Sequence, residues 1–394
     1  MRSFSRPVAV FLLVFLAALA ESPSALAADD DNILKHLHKV STIASTLPEN
    51  KDENPYGVAE VMRTSGDLIE GHILVSNFNN SSNAQGTGTT IVDISPAGSV
   101  HLFAQIDAAT LPGSCPGGVG LTTALVVLRS GWVIVGSLPA PGGSPTAAQA
   151  GCLIVLDNEG HPVETFFGSL INGPWDMTAF DGGDQASLFV TNVLNGPVVA
   201  DTQPGMNGPV VNQGTVVRID IGLSDKKMPW IESMTVIGSG FAERTDTGAL
   251  VIGPTGVGLS PNCSESDEDD CANKFGEEQE PVLYVADTLN NRIAVIPHAL
   301  SRNSSAGTGS TLTSNGSLNG PLGLTVTEGG HILTVNSGDG FITEITPQGA
   351  QIAKFQLDSS GMPAGAGALF GLIFEPGVGV VFVDDATNTL NLLH

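Results

Sequence analysis

Residues 283–297 read LYVADTLNNRIAVIP, an apolar run that ends in Asp, breaks at Asn-Asn and resumes as a second apolar run. Two short runs rich in β-branched residues around such a break form a hairpin. The hairpin is one of a set, because its parts recur in order. A strand ending in a short polar residue appears as GHILVSN at 71–77, GWVIVGS at 131–137, SLFVTN at 187–192, VLYVAD at 282–287, GHILTVN at 330–336 and VVFVDD at 380–385. Aligned on their last residues, these give Asn77, Ser137, Asn192, Asp287, Asn336 and Asp385. A Gly/Pro turn and a strand precede each (NPYGVAEV, CPGGVGLTTALVVL, INGPWDMTAF, IGPTGVGLSP, NGPLGLTVT, ALFGLIFE), and a third apolar segment follows (TTIVDIS, GCLIVLD, TVVRIDI, RIAVIP, FITEIT, TLNLL).

Six copies of one strand unit predict an all-β protein, a six-bladed β-propeller of four-stranded antiparallel blades. Outer strands are visible as SVHLFAQI, PVETFFG, ESMTVIG and AQIAKFQL, with a weaker one near STLTSNG, but the sixth unit runs to His394 without one. The missing strand is expected in KVSTIAST at 39–46, so that an N-terminal strand completes the last blade and removes a free sheet edge.

LYVADTLNNRIAVIP resembles the NHL repeat, whose core is an apolar strand, Ala-Asp, an Asn-rich turn and Arg-Ile; GHILTVNSGDGFITEITPQG is similar in looser form, and Arg292 has no counterpart in the other units. The resemblance implies a six-bladed ring. It also implies a family that includes binding modules, sensor domains and some lyases, so activity must be argued from the site. Propellers of the gluconolactonase type hold a channel metal with Asn, Asp and Glu where the inner strands begin. Here those places carry Gly256, Gly323 and Gly371, and only Asp176 puts a carboxylate there, with Asn54, Asn172 and Asn319 just upstream.

Composition agrees with a folded, turn-rich chain: 41% of residues are hydrophobic and 14% charged, with 48 Gly and 24 Pro. A formal net charge of −25 argues against nucleic acid and anionic lipid as partners. Arg2 and Arg6, the apolar run from Val8 to Ala20 and the small-residue site Ala25-Leu26-Ala27 read as a signal peptide over 1–27, with an uncleaved anchor as the rival reading. A single domain over 28–394, secreted or periplasmic and without a membrane span, is expected. Four cysteines in an exported chain suggest two disulfides: Cys263 with Cys271 by proximity, and Cys115 with Cys152 by elimination among three connectivities.

Blade geometry brings the inner-strand starts and the second-strand ends to one face of the ring. Asn77, Asn192, Asp287, Asn336 and Asp385, with Trp175 and Asp176, are the candidate ligand-binding residues there. The polar ring serves either to cap turns or to bind a hard cation such as calcium or a polar ligand. Units one to three carry long insertions on the same face (NFNNSSNAQGTG, SLPAPGGSPTAAQAG, NVLNGPVVADTQPGMNGPVVNQG), which favours a binding module for a protein, glycan or small ligand on a loop-rich face. The alternative is a channel-mouth lyase or hydrolase, calcium-assisted in one version. The insertion CSESDEDDC lacks the Gly-punctuated alternation of a calcium hand and reads as a solvated acidic loop. His72 and His331 lie at the opposite strand ends, and KHLHK places His36 and His38 near a terminus. No G-x-S-x-G, Cys-x-x-Cys or phosphate-loop motif occurs.

Overall fold

The computed structural model describes residues 32–195, 203, 205–224, 227–261 and 280–394. The segment read as a signal peptide and the pairing of Cys263 with Cys271 therefore lie outside the described residues. Six antiparallel sheets follow one another along the chain as blades. Blade 1 holds β2–β5 (Glu53–Glu60, Ile73–Asn79, Thr90–Ile94, Val100–Gln105), and blade 2 holds β6–β9 (Leu121–Val127, Val133–Ser137, Cys152–Leu156, Pro162–Phe166). Blade 3 holds β10–β14 (Gly173–Asp181, Gln185–Val193, Val211–Ser224, Lys227–Asp246, Leu250–Ile252), and blade 4 holds β15–β18 (Pro254–Leu259, Leu283–Asp287, Arg292–Ile296, Ser310–Ser314). Blade 5 holds β19–β22 (Pro321–Val326, Ile332–Asn336, Phe341–Ile345, Gln351–Gln356). Blade 6 joins β23–β25 (Leu369–Glu375, Gly379–Asp384, Thr389–Leu393) to β1 (Val40–Ser45).

The closing strand is where the sequence puts it. Val40 pairs with Leu393, Ser41 with Leu392 and Ser45 with Thr389. A short helix α1, Ile33–His36, precedes it and is pinned to blade 5 by Glu344, whose buried carboxylate accepts the amides of Ile33 (3.0 Å) and Leu34 (2.9 Å) and meets His331 Nδ1 (2.7 Å). His72 makes the matching contact in blade 1, to Asp93 at 2.9 Å. Both histidines are therefore strand-end hydrogen-bond partners of a buried carboxyl group. The one departure from four strands is the short β14, which extends blade 3 along the end of β13.

The core fills the gaps between blades. Alternation along each second strand sends successive side chains to opposite neighbours: Ile73 and Val75 meet Val381 and Val383 of blade 6, while Leu74 faces blade 2 beside Val133 and Val135. Cys115 and Cys152 form a disulfide that ties the approach to β6 to the start of β8, closing a separation of 37 residues. Replacing both cysteines with Ser should lower unfolding stability by roughly 2–4 kcal/mol. Urea midpoints of the oxidised protein and the variant measure that difference; equal midpoints would contradict it.

Strand register corrects one alignment. Pro55, Leu121, Pro174, Pro254 and Pro321 pair with Asn77, Ser137, Asn192, Asp287 and Asn336, and the sixth member of the series is Leu369 paired with Asp384, not Asp385. The alternation then aims the two aspartates apart. Asp384 follows Val380 and Phe382 toward blade 5, and Asp385 follows Val381 and Val383 toward blade 1.

Candidate functional site

The inner strands β2, β6, β10, β15, β19 and β23 surround the axis. Each carries a bulge just past its pair with the polar-ring residue, such as the shift between Pro174 and Asp176. The residue after that paired position points inward at the face where the long loops emerge. In blades 1, 3, 5 and 6 it is Tyr56, Trp175, Leu322 and Phe370, all buried in one cluster. Tyr56 stacks on Phe370 (centroids 3.8 Å apart) and on Phe78 (4.5 Å), and Trp175 lies 6.4 Å from Phe370. Leu138, Ala140 and Ala148 from the second loop, with Leu194 and Leu250, join the same cluster. Loop one packs on loop two through Ala140 N to Gly86 O (2.9 Å), and Gln85 Nε2 reaches Gly248 O (2.9 Å). The first two long loops, with Leu194 and Leu250, thus roof an apolar plug. The space left under it, lined by Tyr56, Phe78, Trp175 and Leu250, is about 10 Å³, room for about one water.

Below the plug the ring narrows. One position further along, four blades have glycine: Gly57, Gly256, Gly323 and Gly371. A Cβ on Gly323 would stand 1.8 Å from Phe370 O, on Gly256 2.2 Å from Leu322 O, and on Gly371 2.3 Å from Tyr56 O. Adjacent inner strands therefore touch backbone to backbone at this level, which only glycine permits. In blade 3 the same position is Asp176, 8% exposed, whose Oδ2 accepts the amide of Val257 from blade 4 at 3.1 Å and whose carboxyl also meets the Met177 amide. Burial without a cation partner pushes its pKa from 3.8 up to about 8, outweighing both amides. A pKa near 8 favours the protonated carboxyl, with its O–H, at neutral pH.

Beyond the waist the channel widens into a cavity of about 470 Å³ that opens on the opposite face, where the inner strands end. Asp176 is among its deepest residues; Val58, Leu125, Met177, Leu324 and Leu372 line the wall, and Glu60, Arg129, Asp181 and Ser260 stand toward the mouth. Burial and then the neighbouring Glu70 raise the Glu60 pKa, and burial and then Glu60 raise that of Glu375.

The polar ring does not reach this cavity. Asn77 Nδ2 donates to Thr46 O (3.1 Å) and Thr90 Oγ1 (3.3 Å); Ser137 Oγ donates to Gly118 O (2.9 Å) and accepts the Gly120 amide (3.0 Å). Asn192 Nδ2 donates to Val190 O (3.4 Å), and Asp287 pairs with Arg292 Nε (2.8 Å) and accepts from Asn290. Asn336 accepts the Asn319 amide (3.1 Å) and donates to Ser317 O (2.9 Å), and Asp384 accepts the Thr387 amide (3.2 Å). Of the sequence-derived site residues, Trp175 belongs to the plug, Asp176 lines the cavity, and Asp385 faces the gap between blades 6 and 1. Burial, then Asp384 and Glu53, raise the Asp385 pKa to about 7. A channel-axis metal does not fit these donors. Asp176 is the lone acid at the waist, and among the described residues no three His, Cys, Asp or Glu side chains converge where they could hold an ion.

The fold is similar to that of a gluconolactonase from Xanthomonas campestris, at 12% identity over 90% of this chain and 88% of that one, with a TM-score of 0.51. A calcium-binding protein, regucalcin, from Agrobacterium tumefaciens aligns at 14% identity over 88% of this chain and 92% of that one, with a TM-score of 0.50. A luciferin-regenerating enzyme aligns at 11% identity over 90% and 94%, with a TM-score of 0.52. Identities this low show a shared fold and nothing finer. No protein-family model matches the chain, and no curated protein matches it.

Proposed function

We propose that the protein is a binding module that admits a small ligand bearing a carbonyl or hydroxyl group into the channel from the face opposite the long loops. The supporting observation is the open 470 Å³ cavity with a single buried, protonatable carboxyl deep inside it. Its wall mixes apolar side chains with Thr123, Thr178, Ser260 and Thr325, and concave pockets of this size with convergent polar groups are a usual form of small-molecule site. The Asp176 O–H would donate to a carbonyl or hydroxyl oxygen of the ligand. At the loop-rich face the plug of Tyr56, Trp175, Leu322 and Phe370 fills the channel. A thermal-shift screen of neutral carbonyl- and hydroxyl-bearing fragments tests this, run on the wild type and on Ala179→Trp, which fills the channel. Hits that stabilise only the wild type are expected. Absence of hits, or hits that persist in Ala179→Trp, would contradict the reading.

A second reading, a lyase or hydrolase in the same channel, is favoured by one observation: a carboxyl with a pKa near 8 in a concave site is suited to act as a general acid. The names of the gluconolactonase and the luciferin-regenerating enzyme are compatible with it. Turnover of a lactone panel that disappears in Asp176→Asn would select it. We also infer an NHL-like, extracytoplasmic protein; the Cys115–Cys152 bridge supports an oxidising compartment.

A further inference from the structure

Buried polar side-chain atoms are nearly always hydrogen-bonded, so those that are not mark places where something else binds. Four such atoms border one gap, between blades 6 and 1 at the loop-bearing face: Thr46 Oγ1, Asn77 Oδ1, Asn79 Oδ1 and Asp385 Oδ1. Thr46, Asn77 and Asn79 are 0% exposed. Their mutual placement follows from the strands. Asn77 and Asn79 continue the face of β3 on which Val75 meets blade 6, and Asp385 continues the face of β24 on which Val383 meets blade 1. Asn77 Nδ2 is held by Thr46 O at 3.1 Å, which turns its carbonyl oxygen away from that bond. Thr46 in turn is fixed by its amide on Asn388 O (3.0 Å), and Asn388 by its amide on Asp385 O (3.3 Å). Glu53, the cross-strand partner of Asn79, lies close enough to repel the Asp385 carboxylate. Among the described residues no Lys or Arg pairs with Glu53 or Asp385.

Amide oxygens, a hydroxyl and one or two carboxylates, with no basic side chain among them, form an acceptor-rich cage. A water could donate only two protons to it, whereas a hard cation is satisfied by oxygens alone. We propose that the gap between blades 6 and 1 is a calcium site, with Asp385, Asn77, Asn79 and Thr46 supplying oxygens and Glu53 adding charge. The site is distinct from the channel and does not depend on the ligand proposed there. It would sit where β1 and β25 close the ring, so the cation would clamp the first and last blades together. Few formal charges imply a dissociation constant of about 10⁻⁴–10⁻³ M.

Calorimetric titration of the chelator-treated full chain with Ca²⁺ tests the proposal. The wild type should bind one equivalent in this range, with a matching rise in Tm, and Asp385→Asn should weaken that site at least tenfold. Glu159→Gln, on the exposed turn between β8 and β9, should bind as the wild type does, which also controls for general loss of surface charge. Far-UV circular dichroism confirms that each variant is folded, and Asn79→Ser, which removes one amide oxygen, provides a second weakened variant. Absence of Ca²⁺ binding by the wild type, which would leave the cage to water, overturns the proposal. So does binding that is undiminished in Asp385→Asn, which would place the ion elsewhere, including the acidic insertion.

Discussion

Asp176→Asn should be more stable than the wild type at pH 8 and should lose much of the pH dependence of unfolding between pH 4 and pH 8. The folded-state pKa of Asp176 lies near 8 against an ordinary 3.8, so the folded protein holds a proton that the unfolded chain releases. A raised carboxyl pKa contributes stability that is complete below the unfolded value and is lost as pH rises through the folded value. The slope approaches about 1.4 kcal/mol per pH unit within that window, a few kcal/mol in all. Asparagine keeps the shape of the protonated acid, accepts the Val257 amide and cannot ionise. Glu243, also raised to about 8 by burial, accounts for a remaining slope in the variant. Urea midpoints at pH 5, 6.5 and 8 read the effect. A variant as pH-sensitive as the wild type would show that Asp176 is ionised in the native state.

A chain that starts at Leu47, lacking β1 and α1, should lose most of the total stability, which for a domain is only about 5–15 kcal/mol. Without β1, the ladder of β25 from Thr389 to Leu393 becomes an open edge, and Leu34 no longer covers the core beside Leu357 and Leu393. An edge of that kind pairs with other chains. Light scattering should show association, and the urea transition should broaden as blade 6 detaches. A monomer with an unchanged midpoint would mean that the ring does not depend on its closing strand.

The ring was legible because its units repeat: six second strands with matching ends, six Gly/Pro starts and one missing outer strand leave few alternatives. The Asp384 register was not, because VVFVDD offers two adjacent aspartates and β23 has Leu369 at the paired position where four of the other five inner strands have Pro. A one-residue difference in a strand reverses the face, so this choice decides which blade a side chain meets. The plug was hidden for another reason, since Tyr56, Trp175 and Phe370 come from three blades and meet only around the axis. A signal was present in NPYGV, GPWDM and ALFGL, where an aromatic residue precedes the position that is Gly or Asp at the waist. Asp176 stood out in the sequence as the one acid among glycines. Its isolation from other acids, which sets its protonation, follows only from the glycine contacts around it.

A ¹³C NMR titration of the Asp176 carboxyl carbon, assigned by its loss in Asp176→Asn, is the most direct measurement of the site. A midpoint near 8 is expected, and a fragment bound in the channel should shift it. A midpoint near the ordinary carboxylate value would make Asp176 a charged group at neutral pH, and the neutral, hydrogen-bond-donating channel proposed here would be wrong.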